Sequence, residues 1–218
     1  MPEKIVELKN VNAYYGRKKE RKQILENISF SLYEGEILGL VGESGSGKST
    51  LCKCILGLLQ DYEGEIKHYT KRPQMIFQDP FRSLNPKKRI GWILEEPLKV
   101  QGGYSKEERK KKAEEALRKV HLDVEIYHRY PKELSGGQRQ RVSLALAVIS
   151  GAKFILADEP LSALDVTVQA QMIKLFRELQ ERENISCLFV SHDLDVVSML
   201  CKRVLFLQQG RIREYENL

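Results

Sequence analysis

The chain has 218 residues, 42% hydrophobic and 30% charged, and its 36 Lys and Arg against 30 Asp and Glu give a net charge of +6. That is room for one α/β domain with a sizeable core and a small subdomain, and too apolar for a disordered chain. No apolar run approaches the roughly 18 residues that span a bilayer, and the opening MPEKIVELKN alternates charged and apolar residues with no signal-peptide core, which argues against an integral membrane, secreted or fibrous protein.

Residues 5–8 and 28–32 alternate like strands, and 36–41 is a short apolar run closed by a glycine, as a buried strand would be. Residues 49–59 read as a helix. Residues 79–135 change character, with more charge and proline. They hold a punctuated helix in which Ser105 and Glu108 form a capping-box pattern and Ala113, Ala116, Leu117 and Val120 form one apolar stripe. Helices then follow at 138–150, 166–183 and 194–201, alternating with strands at 153–157, 186–190 and 204–208. Such alternation predicts a parallel sheet covered on both faces, with 79–135 inserted as a helical block.

The four cysteines, Cys52, Cys54, Cys187 and Cys201, show no metal-ligand spacing and read as core thiols in a reducing cytosol. The basic clusters at 17–22, 87–89 and 109–112 read as solvated faces, with binding of phosphates, anionic lipid or nucleic acid as the sharper alternative.

Three segments carry chemistry. Gly42, Glu43, Ser44, Gly45, Ser46, Gly47, Lys48, Ser49 and Thr50 match G-x-x-x-x-G-K-[ST] between a strand and a helix, the context that pattern requires. Glycines let the backbone wrap an anion, and successive N–H groups at the helix start then point at it. Lys48 can reach the β- and γ-phosphates of a nucleotide, and the Ser49 hydroxyl can ligate Mg²⁺. The strand at 154–159 ends in Asp158 and Glu159, at the edge where ligands bind in such sheets, with Asp158 placed for the Mg²⁺ shell and Glu159 for a water. Ser135, Gly136, Gly137 and Gln138 open a helix and can serve as a second anion-binding turn or as a simple helix cap. Together they indicate a nucleoside triphosphatase.

The order of these motifs resembles the ATP-binding subunit of ABC transporters over nearly the whole chain. Residues 42–50 are similar to its phosphate loop, Leu134 to Gln138 to its LSGGQ signature, 154–159 to its acidic strand, and Ser162, Ala163, Leu164 and Asp165 to its D-loop. Gln78 matches the glutamine that senses Mg²⁺ and the attacking water, His192 the switch histidine, and Tyr15 the aromatic that stacks on adenine, with Tyr14 beside it as the rival. The stretch Gln78, Asp79, Pro80 and on through Ser83, Leu84, Asn85 and Pro86 is similar to the QDP…SLNP of ATPases serving oligopeptide, dipeptide and nickel importers.

The resemblance implies a P-loop core with a mostly parallel sheet, a small antiparallel β subdomain and a helical insertion: one domain over 1–218, its RecA-like core 1–78 and 136–218 and its helical subdomain 79–135. It implies ATP and Mg²⁺ as cofactors, with Lys48, Gln78, Glu159 and His192 catalytic and Ser49, Gln78 and Asp158 near the metal. Implied partners are two transmembrane permease subunits, a second ATPase subunit of the same or a related chain and, indirectly, an extracytoplasmic binding protein, with no nucleic acid, at the cytoplasmic face of the membrane. The cargo would be a peptide or a chelated metal. A DNA-repair or translation ATPase of this family would carry a coiled-coil insertion or a second cassette, and the QDP…SLNP stretch speaks against an exporter.

Three features depart from the family pattern. Only 28 positions separate Thr50 from Gln78, which implies a β subdomain shortened around residues 64–73; Leu146 stands where arginine is usual; and the sequence ends at Leu218, which implies no C-terminal regulatory domain.

Overall fold

A computed structural model describes residues 3–16, 20–71, 73–79 and 83–216. Part of the first basic cluster (17–19) and of the QDP…SLNP stretch (80–82) lies outside these residues, as does Arg72 in the 64–73 segment.

Two sheets stack against each other. β1 (Lys4–Tyr15), β2 (Lys22–Tyr33) and β4 (Tyr62–His68) form an antiparallel sheet in the order β2-β1-β4. The main sheet runs β5-β6-β7-β3-β8-β9, from β3 (Ile37–Val41), β5 (Gln74–Ile76), β6 (Phe154–Asp158), β7 (Ser186–Ser191), β8 (Arg203–Gln208) and β9 (Arg211–Glu216). Its first five strands are parallel, and β9 returns antiparallel to β8. The longer helices among the described residues are α1 (Lys48–Leu56), α2 (Ile90–Gln101), α3 (Lys106–Lys119), α4 (Gly136–Ile149), α5 (Val166–Glu183) and α6 (Leu194–Leu200).

The period-2 pattern of the central strands sorts their side chains into two cores. Leu38, Leu40, Phe154, Leu156, Leu188 and Val190 meet α1 and the antiparallel sheet, through Leu51, Ile55, Leu8 and Leu25. Ile37, Val41, Ile155, Cys187 and Phe189 face the other way, toward Met172 and Phe176 of α5, Val197 of α6 and the α2–α4 block. Phe176 packs edge-on to Phe189 at 5.4 Å between centroids, an arrangement that adds about 0.5–1.5 kcal/mol beyond burial. All four cysteines are buried, free thiols, as their sequence context suggests.

The parallel sheet is covered on both faces as expected, by helices on one and by α1 with the small antiparallel sheet on the other. β1 and β2 run twelve residues each, longer than their alternation reads, because register shifts interrupt the pattern near Leu8, Val11 and Ala13. β4, β9 and α2 are not evident in the sequence pattern. β9 is an exposed edge strand, and α2 carries Pro97 inside an otherwise regular apolar repeat of Ile90, Ile93, Leu94 and Leu98. α1 stops at Leu56 rather than 59, where Gly57 takes a left-handed φ of 71°. The α3 capping box forms as read, with Ser105 N donating to Glu108 at 2.7 Å and Glu108 N to Ser105 Oγ at 3.2 Å. Leu146 packs partly buried against the larger core. No helix among the described residues is long and apolar enough to cross a membrane.

Candidate active site

β3 delivers the chain to Gly42 at the C-terminal edge of the sheet, and α1 carries it away from Lys48. Gly42 is pinned by space: a Cβ there would overlap the Leu207 carbonyl oxygen. Gly47, the residue before α1, has φ 112° and no side-chain cap, so the first-turn N–H groups of α1 lack a side-chain acceptor and form an anion-binding end. The Ser46 hydroxyl is buried without a hydrogen-bond partner among the described residues. Lys48 is buried, its Nζ donating to the carbonyls of Gly42 at 2.6 Å and Glu43 at 3.0 Å. A buried ammonium held by carbonyl dipoles beside uncapped amides suits a polyphosphate.

β6 ends at Asp158, one strand from β3 in the sheet order. Burial pushes the Asp158 carboxyl above its ordinary value, the charge of Glu159 pushes the same way, and Lys48 pulls it back. A cation here would relieve that penalty. Among the described residues no group of three or more His, Cys, Asp or Glu could hold a metal. A divalent ion would therefore rest on Asp158, the Ser49 hydroxyl and phosphate oxygens, the few-protein-ligand manner of Mg²⁺.

Glu159 follows with φ 48°, a left-handed conformation that costs a non-glycine residue energy and is found enriched at functional sites. It is held by its N–H donating to the Val190 carbonyl of β7 at 3.0 Å. Its Oε2 lies 3.2 Å from His192 Nδ1. The turn bearing His192 is fixed by Asp193, whose N–H donates to Ser191 Oγ at 3.0 Å and whose carboxylate accepts from Asp195 N at 3.0 Å to cap α6. Ser44, Gly45, Gly47, Lys48, Ser49, Thr50, Asp158, Glu159 and His192 line one cleft of about 640 Å³, with Ile24 from β2. Glu43 and Ser46 line a shallower hollow of about 190 Å³ against Leu207.

The other predicted residues are not gathered into that cleft. Tyr15 ends β1, exposed, with Lys53 of α1 donating to its hydroxyl at 3.5 Å. Tyr14 is engaged elsewhere: the Arg21 guanidinium sits 3.7 Å from its ring centre, and its hydroxyl donates to Glu63 at 3.1 Å. Gln78 follows β5 and lines a separate cleft of about 280 Å³ with Gly136, Gln140, Pro160 and Leu164.

Ser135 and Gln138 close a capping box on α4. Ser135 Oγ accepts from Gln138 N at 3.2 Å, and Gln138 Oε1 accepts from Ser135 N at 3.0 Å. The S-x-x-Q spacing carries that signal, and within this chain the turn is a cap whose glycines are Gly136 and Gly137. Residues that sequence reasoning missed are Lys53, Ile24 and Gln140, each on a regular element with no motif to mark it.

The parallel sheet, glycine loop and acidic strand end define a P-loop nucleoside triphosphatase. The family described as ABC transporter matches residues 25–162. The oligopeptide transport ATP-binding protein AppF of Bacillus subtilis is 43% identical over 97% of this chain and 71% of that protein. OppF of Haemophilus influenzae, also an oligopeptide transport ATP-binding protein, is 44% identical over 95% of this chain and 67% of its own length. The ATP-binding cassette MJ0796, solved as a dimer in a post-hydrolysis state with ADP and Pi, superposes with a TM-score of 0.84 at 32% identity, covering 98% of this chain and 99% of that one. The chain belongs to the ABC transporter family and is an ATPase cassette that uses ATP with Mg²⁺.

Proposed function

We propose that this ATPase powers import of a peptide across a cell membrane, working from the cytoplasmic face with two permease subunits, a second cassette and, indirectly, an extracytoplasmic binding protein. The cargo rests on the naming of AppF and OppF as oligopeptide transport proteins and on the QDP…SLNP resemblance. A chelated metal such as nickel is the alternative cargo. In this reading 1–78 and 136–218 form the catalytic core, and 79–135 is the helical subdomain.

The observation that carries the catalytic assignment is the pairing of Glu159 with His192 in the cleft that Lys48 and Asp158 also line. Residues 42–50 hold the triphosphate through backbone N–H groups and Lys48. Ser49, Asp158 and Gln78 serve the metal, which supplies charge neutralisation on the phosphate oxygens. Glu159 accepts the proton of the attacking water as His192 orients it. Tyr15 stacks on adenine. Ser135, Gly136, Gly137 and Gln138 complete the site of the partner cassette, where the Gly136 and Gly137 amides stabilise charge on its γ-phosphate, a reading that rests on the signature resemblance and on the dimeric state of the MJ0796 cassette.

Reconstitution with its permeases and binding protein in vesicles tests the transport reading. Peptide in the lumen should stimulate ATP hydrolysis and appear in the ATP-containing compartment. Stimulation by a nickel chelate and not by peptide would shift the cargo, and stimulation by nucleic acid without permeases would overturn import.

A further inference from the structure

Gln140 sits one helical turn beyond the start of α4, on the same face as Gly136. Its side chain is 1% exposed. Its Nε2 donates to the carbonyl of Phe77 at 3.4 Å, the residue immediately before Gln78. Its Oε1 is buried and has no hydrogen-bond partner among the described residues. The cleft beside it is lined by Gln78, Gly136, Pro160 and Leu164, so one glutamine spans the metal-sensing segment and the signature helix.

An unpaired buried carbonyl destabilises a fold, and an unbranched apolar side chain of similar length would not carry that cost. Here the cost falls where two parts of the ATPase site meet within one chain. Gly136 and Gly137 lie on the first turn of α4, so any displacement of Gln140 tilts their amides with it. Leu164 packs 3.6 Å from where a Gly136 Cβ would stand, and Val168 at 2.7 Å from a Gly137 Cβ, so the turn has a fixed seat to move against.

We propose that Gln140 is a positioning residue that couples Gln78 to the signature turn of the same chain, reporting nucleotide in its own cleft to the amides that complete the partner's. The inference rests on the nucleotide-site reading of 42–50 and Gln78. In the state described here Nε2 makes one hydrogen bond and Oε1 none. Nucleotide draws the segment of Gln78 toward the phosphates, and that segment then brings Oε1 a donor. The two arrangements form the bistable element that coupling requires.

Hydrogen–deuterium exchange on the full chain tests this, at a concentration where light scattering reports monomer, with and without Mg²⁺ and the non-hydrolysable analogue AMPPNP. In the wild type the analogue should slow exchange across 42–50 and change exchange across 134–140 at least threefold. Gln140→Met should keep the first effect, lose the second and melt at the same or a higher temperature. A Gln140→Met chain that retains the change at 134–140, or that melts several degrees lower because the amide serves the fold, overturns the proposal. So does a wild type that protects 42–50 without any change at 134–140. A wild type that shows no protection at 42–50 overturns the nucleotide-site reading, and the coupling with it.

Discussion

His192 Nδ1 lies 3.2 Å from Glu159 Oε2, joining the ends of the neighbouring strands β6 and β7. Glu159 is mostly buried and His192 is exposed, so the pair orients the carboxylate from the solvent side. His192→Ala should slow ATP hydrolysis while leaving nucleotide affinity within about twofold, because Lys48 and the N–H groups of 42–50 that hold the phosphates remain in place. Calorimetry beside a phosphate-release assay checks both. Lost affinity would make this histidine structural.

Tyr15 and Tyr14 are adjacent but differently engaged: the Arg21 guanidinium sits 3.7 Å from the Tyr14 ring centre, whereas among the described residues the Tyr15 ring meets the Lys53 ammonium at 5.8 Å. Tyr15→Ala should weaken adenine nucleotides by about 1–3 kcal/mol, the scale of base–aromatic stacking, and leave inorganic triphosphate binding unchanged. Tyr14→Ala should cost nucleotide affinity little, since its ring is occupied by Arg21 and its hydroxyl by Glu63. The reverse order in a fluorescence titration would exchange the two roles.

Glu7 gives the antiparallel sheet a pH signature. Its carboxylate is hydrogen-bonded by Lys4, then, against the opposing effect of burial, by Lys9 and the Tyr69 hydroxyl, which together lower its pKa from 4.5 to about 2. A carboxyl depressed in the folded state stabilises above its unfolded pKa, and that contribution is lost as pH falls toward the folded value. The melting-temperature gap between wild type and Glu7→Gln should be constant above about pH 5.5 and close between pH 4.5 and about 2. A gap unchanged at pH 2 would remove Glu7 from this role.

What was legible in the sequence divides along physical lines. The buried parallel strands announce themselves because both faces are apolar, as in the Ile37–Val41 run, and the phosphate loop because its glycines and lysine have few other uses. Ser105 and Glu108 declare a helix start through local hydrogen bonding alone. β9 and β4 are hidden because exposed edges need no apolar pattern, and α2 because Pro97 disguises its repeat. The separation of Gln78 and Gly136 from the Lys48 cleft, and the role of Gln140, depend on where the helical block carries the chain, which no local spacing records.

The signature turn offers a substitution that spares the fold. Gly136 is the first residue of α4, and a Cβ there meets only Leu164 at an ordinary 3.6 Å. An aspartate at a helix N-terminus is favourable by about 0.3–1 kcal/mol, so Gly136→Asp should melt no lower than wild type and bind Mg-ATP as a monomer. Its carboxylate would face the partner's γ-phosphate, so nucleotide-driven dimers should vanish in light scattering. Loss of monomer binding would place the turn in the chain's own site instead.

Hydrolysis depends on Glu159 activating water over a nucleotide held by residues 42–50. The most direct test is Glu159→Gln, measured for Mg-ATP affinity by calorimetry and for single-turnover phosphate release. Affinity should equal or exceed that of wild type, with hydrolysis slowed by about 10²- to 10⁴-fold, the range for a positioned general base. Turnover within twofold of wild type at full occupancy would contradict it.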